Sequence, residues 1–379
     1  MKYLAVLGRQ PEISIAELEM SDFCTDIDRL GGTQKLAAKL EQAPLEFLSQ
    51  LPEGKLTIGV SDYSEKASRK TASQEALRLK KILVRHGRSV RVVENKEAVL
   101  STATSLHNGL SGKNERKVEL IKVEDEWYRV IGVQDIEAYA KRDQARPARD
   151  AKVGMLPPKL AQILINLCGP LESGAVVLDP FCGTGVVLQE ALLMGYRAYG
   201  TDISERMVEY SEKNLEWFCA NSKGFFPGTG PSRPSSRGSG PSSSVVTSGH
   251  PGKNLFELAQ GDATSFQWAQ PIDAVACEGY LGRPFSRIPS EMALKEQEQE
   301  CGDIIKGFLK NLAGQIKKDT PVVIAAPAWL RESGQYKRLD ILDDISDMGY
   351  NVNNKTREGL LYRRAGQVVA RDILILRKK

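Results

Sequence analysis

The chain has 379 residues, and its 52 lysines and arginines against 48 aspartates and glutamates leave a net charge of only +4, so a nucleic-acid partner is permitted but not demanded. That length suggests two or three domains. Six cysteines with no C-x-x-C pair and only three histidines argue against a zinc site or a disulfide framework and fit a reducing compartment. No apolar run approaches the roughly twenty residues of a membrane span, and the opening Met1-Lys-Tyr-Leu-Ala-Val-Leu-Gly8 is too short for a signal sequence. The expectation is a soluble cytoplasmic protein with neither a membrane nor a metal as partner.

From the N-terminus, the pattern predicts a strand at Tyr3–Leu7, a helix from near Ser14, and a strand at Leu56–Val60. A helix over Ser73–Val84, a strand at Val90–Val93 and a short helix at Thr102–Leu106 follow. Two strands, Val118–Val123 and Trp127–Val133, then flank the turn Glu124-Asp125-Glu126. Together they read as a compact α+β unit ending near Ala140. Residues 141–152 hold five cations against two anions and a proline, too irregular for a helix. They read as a basic connector whose Arg142, Arg146 and Arg149 are available to nucleic-acid phosphates. Pro157-Pro158 then opens a helix with the apolar stripe Leu160, Ile163, Leu164 and Leu167.

The most informative stretch is Val176-Val-Leu-Asp-Pro-Phe-Cys-Gly-Thr-Gly-Val186. A short apolar strand ends in Asp179, turns through Gly183 and Gly185, and opens a helix that stops at Gly195. Glycines let the backbone approach a ligand, and a helix N-terminus attracts an anionic group. A second strand, Ala198–Thr201, ends in Asp202, placed to accept hydrogen bonds from ribose hydroxyls. The turn is not the G-x-G-x-x-G of a dinucleotide site. An aspartate with one glycine pair suits a zwitterionic amino acid joined to a nucleoside better than a pyrophosphate.

After Asp202, a helix runs to Phe218. From Pro227 to Gly252, nineteen of twenty-six residues are Gly, Pro or Ser, too little apolar surface to order the tract, so an insertion over 223–254 is expected to be disordered. The pattern resumes with a strand at Phe256–Ala259, Gly261-Asp262 and a strand at Ile272–Ala276. A helix from Glu291 to Leu312, a strand at Val322–Ala325, a helix near Tyr336–Ile345 and two closing strands complete the chain. Alternating strands and helices imply a parallel sheet covered on both faces.

Two motifs carry a resemblance. D-P-F-C-G-T-G at residues 179–185 resembles motif I of S-adenosylmethionine (SAM)-dependent methyltransferases that act on exocyclic base amines. With Arg146-Pro-Ala-Arg-Asp-Ala-Lys-Val-Gly-Met-Leu-Pro-Pro-Lys-Leu-Ala-Gln-Ile163, the chain resembles the THUMP-containing tRNA guanosine-N2-methyltransferases of archaea and eukaryotes. The resemblance implies an α/β chain with a Rossmann-like SAM-dependent methyltransferase domain at 153–379. It implies a ferredoxin-like segment at 1–50 and a THUMP-like RNA-binding region at 51–140, with tRNA as partner. It further implies that SAM meets Asp179, Phe181, Gly183, Gly185, Asp202 and Asp262, with Met155, Leu156 and Pro157 walling the site.

The chain departs from the family at the catalytic loop. The family has an acid or amide, then Pro-Pro, then an aromatic residue; this chain reads Cys277-Glu278-Gly279-Tyr280. A guanine amine is a poor nucleophile, because its lone pair is delocalised into the ring. An acceptor must take its hydrogens and an aromatic face must hold the flipped base. Tyr280 can supply the face and Glu278 the acceptor, if the loop slips by a residue. Gly279 in place of proline is expected to leave the loop flexible. The leading reading is guanine N2 methylation in tRNA by direct in-line transfer. A DNA amino-methyltransferase acting on N6-adenine or N4-cytosine, or a non-catalytic SAM- and RNA-binding relative, are the rivals.

Overall fold

The computed structural model describes residues 2–22, 24–150, 155–221, 255–353 and 360–379. The tract at 223–254, expected to be disordered, lies outside the described residues. The chain divides into two compact units, residues 1–15 with 23–140, and 16–22 with 141–379. The division falls inside two helices, α1 (Pro11–Met20) and, further along, Ile136–Gln144.

The first unit is built on a six-stranded sheet. Its elements are β1 (Tyr3–Leu7), β2 (Thr33–Lys39), α2 (Pro44–Ser49), β3 (Leu56–Asp62), α3 (Arg69–Arg85), β4 (Val90–Val92), α4 (Thr102–His107), β5 (Lys117–Val123) and β6 (Glu126–Val133). The strand order is β1-β2-β6-β5-β3-β4, so residues 1–50 and 51–140 share one sheet. β3 runs parallel to β4 and β5, and the other pairs are antiparallel. Helix α3 opens on a capping box made by Ser68 and Thr71 and lays Ala76, Leu79 and Leu83 on Leu56, Ile58 and Val60 of β3.

Strand β2 has no counterpart in the sequence reading, although it lies between β1 and β6. Its composition, Thr-Gln-Lys-Leu-Ala-Ala-Lys, favours helix if anything. Tertiary partners override that preference. Lys35 is buried and donates to Glu119 Oε1 at 2.6 Å and to the Leu100 carbonyl at 2.7 Å. Ser61 and Ser105 donate to the two oxygens of Glu119 at 2.6 Å each. The pair is buried but fully hydrogen-bonded, which is what makes two buried charges tolerable.

Helix α5 (Ile136–Gln144) corrects the expectation of an irregular segment from residue 141: Lys141–Gln144 are its last turn, and lysine and arginine suit a helix C-terminus. The second unit continues with α6 (Pro158–Asn166), β7 (Val176–Asp179), α7 (Val186–Leu193), β8 (Arg197–Asp202), α8 (Glu205–Asn221), β9 (Phe256–Gln260) and β10 (Ala274–Glu278). It closes with α9 (Glu291–Ala313), β11 (Pro321–Leu330), β12 (Tyr336–Arg338), α10 (Leu342–Asp347), β13 (Tyr350–Val352), β14 (Leu361–Tyr362) and β15 (Val369–Lys378). The helix expected at Tyr336–Ile345 is thus a strand, paired with Ala328–Leu330, followed by a later helix.

The second sheet has the order β13-β15-β11-β10-β7-β8-β9, with β12 on β11 and β14 on β15. β7 to β11 are parallel, and β15 is antiparallel to β11 from Pro321↔Arg377 to Trp329↔Val369. Alternation decides the faces. Val275, Cys277, Val322 and Ile324 share a cluster with Ile305, Phe308, Leu309 and Leu312 of α9. The chain moves outward from β7 to β8 and β9, then returns to β10 on the other flank of β7. That reversal opens a crevice at the carboxyl ends of β7 and β10, where ligands bind in sheets of this Rossmann-like kind.

Close packing beneath the crevice leaves no room at Gly200 of β8. A Cβ there would come within 2.8 Å of Leu258 Cδ2 and 3.2 Å of Cys182 Cβ. Gly200→Ala is expected to lower unfolding free energy by about 1–3 kcal/mol through overpacking, read as a lower midpoint in urea. An unchanged midpoint would show that α7 and β9 yield at no cost.

Candidate active site

Strand β7 delivers Asp179 to the crevice, where the carboxylate accepts the Phe181 N–H at 3.1 Å. The chain then turns through Gly183 (φ +52°) and Gly185 (φ +79°), left-handed conformations that favour glycine. Gly185 is also the N-cap of α7, and a Cβ on it would sit 3.0 Å from Ser211 Oγ. Ser211 of α8 meanwhile donates to the Gly183 carbonyl at 2.8 Å, fastening the turn from behind. In front the turn is open. A Cβ built on Gly183 meets only the Phe181 carbonyl, at 3.9 Å, so the space above that backbone is a cradle.

Asp202, at the end of β8, spans the same turn. One oxygen accepts the Gly183 N–H and the other the Ser204 N–H, both at 2.9 Å. The residue after it, Ile203, is 68% exposed, an apolar side chain beside a polar edge that sequence reasoning did not single out.

These carboxylates sit close enough to disturb one another. Burial pushes Asp179 well above the usual carboxylate range, and the negative charges of Asp202 and Glu278 push it further. Burial also raises Asp202, against the pull of the Ser204 and Gly183 N–H groups. Burial raises Glu278 as well, opposed by Arg371, whose Nε donates to Glu278 Oε1 at 2.7 Å. Three acids on three adjacent parallel strands therefore meet at one end of the sheet, where burial makes the ionised form of each costly. Such a site favours a cation.

The loop after β10 is firmer than its sequence suggests. Gly279 is buried; its N–H donates to the Ala325 carbonyl at 3.1 Å, continuing the β10–β11 pairing, and a Cβ built on it would lie 3.3 Å from Ile324 and 3.5 Å from Ile305. The expected flexibility at Gly279 is corrected by that pairing. Beyond it, Gln297 of α9 accepts the Arg283 N–H at 2.6 Å and donates to Glu300 at 2.7 Å, and Glu300 accepts the Tyr280 hydroxyl at 2.9 Å. Burial and that bond push the Tyr280 hydroxyl up to about 12. Its ring is half-buried and packs against the core cluster. Cys277, in the family's acid position, is fully buried, and burial pushes its thiol well up, so it is inert.

The remaining predicted residues are placed variously. Phe181 packs edge-on against Phe308, with centroids 5.3 Å apart, and is half-buried. Asp262 is exposed and accepts the Thr264 N–H and hydroxyl, which hold its carboxyl low. Leu156 is buried, Met155 half-buried, and Pro157 is the N-cap of α6. The three arginines do not act together. Arg142 Nε is bound to Glu190 Oε1 at 2.8 Å, and Glu190 is fully buried. Arg146 is itself buried, with Nη1 donating to Thr184 Oγ1 at 3.3 Å in the glycine turn. Both are turned into the fold and unavailable to a phosphate as they stand: Arg142, in the last turn of α5, is tied to Glu190 of α7, and Arg146, just past that helix, to Thr184 of the glycine turn. Arg149 alone is exposed.

Gln297, Glu300 and Arg371 were missed by sequence reasoning. Gln297 and Glu300 sit three apart on one face of α9, a legible spacing, but nothing in sequence links that face to residue 280. Arg371 lies 93 residues from its partner.

Asp202 ties two backbone N–H groups, so Asp202→Ala is expected to cost about 1–3 kcal/mol in stability, and Asp202→Asn less, by chemical denaturation. Equal stability of all three forms would show that the turn holds without the carboxylate.

Residues 80–213 match the model of a DNA methylase family. Curated relatives include tRNA (guanine(10)-N2)-dimethyltransferases. That of Methanothermobacter thermautotrophicus is 29% identical over 190 residues, 50% of this chain and 44% of the relative. That of Methanocaldococcus jannaschii is 32% identical over 130 residues, 34% and 36% of the two chains. That of Pyrococcus abyssi is 48% identical over 63 residues, 17% and 18%. The chain spans less than half the length of the curated relatives it matches. Among solved structures, TrmN from Thermus thermophilus is similar at a TM-score of 0.44 and 18% identity, over 92% of this chain and 84% of that one. By these likenesses, the chain is broadly similar to methylases that act on nucleic-acid bases.

Proposed function

We propose that this chain is a SAM-dependent methyltransferase that methylates the exocyclic N2 amine of guanine in tRNA. The observation that carries the reading is that Glu278, two residues before Tyr280, interacts with Asp179 at the reversal point of a parallel sheet whose glycine cradle opens at the same end. The named relatives support guanine as the base and tRNA as its carrier.

The residues fit the cofactor. The open face above Gly183 accepts a bulky group against backbone, Asp202 retains lone pairs for the ribose hydroxyls, and Ile203 offers an apolar face for the adenine ring, with Asp262 beyond it. Asp179 supplies negative charge for the cationic end, and Met155, Leu156 and Pro157 stand as walls. When bound, the cofactor supplies a methyl group on a sulfonium. Tyr280 stacks the flipped base, held in place through Glu300. Glu278 accepts an amine hydrogen, turning the nitrogen lone pair toward the methyl, and takes the proton that N2 sheds once its new bond to carbon has formed. The raised affinity of Glu278 for a proton suits that last role.

Grip on the RNA belongs to the first unit and to Arg149 in this reading. A groove of about 690 Å³ beside edge strand β4 is lined by Lys55, Arg69, Lys80 and Arg91, with Glu94 also in the lining and paired to Arg69 at 3.0 Å. Cations at that density suit phosphates. The DNA methylase match over residues 80–213 favours a second reading, an adenine or cytosine amine of DNA, and substrate choice separates the two.

The decisive experiment is transfer from labelled SAM to unmodified tRNA and to DNA, followed by nucleoside mass spectrometry. N2-methylguanosine in the tRNA is expected; label only in DNA selects the second reading, and none in either removes the catalytic one. Glu278→Gln is expected to keep partial activity, and Glu278→Ala to lose roughly 10²-fold in rate, the scale of one transition-state hydrogen-bonding group.

A pH effect follows from the acids. A carboxyl whose folded pKa is raised stabilises the empty protein below its unfolded pKa, and that contribution is lost as pH rises through the folded pKa. A bound cation reverses this by favouring the ionised form of Asp179. SAM binding is therefore expected to release protons and to weaken as pH falls through the raised range of Asp179 and Asp202. Calorimetry in buffers of different ionisation enthalpy reads the release directly, and identical heats in all of them would contradict it.

A further inference from the structure

The catalytic loop has no Pro-Pro to stiffen it, yet the carboxylate it carries is fastened from a distant strand. Arg371 of β15 donates Nε–H to Glu278 Oε1 at 2.7 Å. One strand, β11, separates them. Glu278 registers with Ala325, and Arg371 with Pro327, so all four residues belong to the same face of the sheet. Ala325 is small, which leaves the guanidinium room to cross β11. The pair is largely shielded, with side-chain exposures of 8% for Arg371 and 17% for Glu278. Gln367 accepts a second N–H of the guanidinium at 3.4 Å.

The surroundings of Glu278 make this contact consequential. The titratable and charged groups that act on it or feel it are Asp179 on β7, the neighbouring Cys277 thiol on the opposite face of its own strand, and the Arg364 guanidinium from the segment joining β14 to β15. Burial favours the neutral acid, and Arg371 is the foremost opposing influence. A neutral carboxyl would carry a proton and donate towards the base amine, whose own hydrogens need acceptors. Of the two Glu278 oxygens, Oε1 alone has a hydrogen-bond partner among the described residues.

We propose that Arg371 is a positioning residue of this site: it anchors Oε1 of Glu278 so that Oε2 faces the base amine as an ionised acceptor. The inference rests on the role given to Glu278 above. Arg371 does for the carboxylate what the missing prolines do for the loop in the family pattern, setting the acceptor's direction before the base arrives.

The test compares Arg371→Met and Arg371→Lys with the wild-type protein in methyl transfer to unmodified tRNA from about pH 6 to 9. Removing the guanidinium leaves burial opposed only by the lesser pull of Arg364, so the Glu278 carboxyl ionises at higher pH and the acid limb of kcat moves up. Arg371→Met is expected to lose about tenfold or more in kcat near neutral pH and to recover as pH rises, with SAM affinity within about twofold of wild type. Arg371→Lys is expected to restore much of the rate. In a Glu278→Gln background, Arg371→Met is expected to add little, because no charge remains to be held. A loss uniform across pH, or additive with Glu278→Gln, overturns the proposal in favour of a merely structural ion pair.

A second measurement does not need turnover. With ¹³C-carboxyl-labelled glutamate, the Glu278 resonance is identified by its absence in Glu278→Gln, and its titration is followed with and without Arg371→Met. An upward shift is expected, and an unmoved titration overturns the link. Should the wild-type protein methylate nothing, the functional reading fails, while this titration still decides whether Arg371 governs Glu278.

Discussion

Negative charge concentrated at the carboxyl ends of three neighbouring parallel strands is the constraint on which the second unit depends. Asp202, Asp179 and Glu278 terminate β8, β7 and β10, adjacent in the sheet, and burial makes the ionised form of each costly. Each is managed differently. Asp202 spends its oxygens on two backbone N–H groups and thereby shapes the turn; Glu278 is held by a guanidinium from the far side of β11. Asp179 has one N–H and the least relief. The crevice is thus built to be completed by a cation, and the least compensated acid lies beside the open glycine cradle.

The loop after β10 illustrates how one geometry can be reached by different means. Two consecutive prolines restrict a backbone locally, through their rings. Here the restriction is tertiary. Gly279 continues the hydrogen bonding to β11, Gln297 and Glu300 of α9 hold the backbone at Arg283 and the hydroxyl of Tyr280, and Arg371 holds the acid. Glycine at 279 fits because a side chain would press on Ile324. The departure from the family pattern therefore reads as a substitution of support rather than a loss of it.

The first unit shows the same priority of tertiary context over local preference. β2 is a central strand written in helix-favouring residues, and what keeps it in place is a buried lysine shared between Glu119 and the Leu100 carbonyl. That network joins β2, β3, β5 and the segment entering α4, so the sheet's register and its polar core are one feature.

The sequence by itself determined the order of strands and helices wherever apolar periodicity was strong. It also determined the glycine turn between Asp179 and Val186 and the acid about twenty residues after it, because those signals are local: period, φ preference and spacing are properties of neighbouring residues. Tertiary structure alone decided the rest. Arg142 and Arg146, which read as exposed cations, were turned inward, the first onto Glu190 of α7 and the second onto Thr184 of the glycine turn. Tyr336–Arg338, which read as helix, became a strand because Ala328–Leu330 presented an edge to pair with. Arg371 met Glu278 only because β15 returns antiparallel beside β11 and brings a residue 93 positions away to the carboxyl end of the sheet. No local pattern encodes such a meeting, since its energy arises between groups that the chain brings together only when the whole sheet has formed.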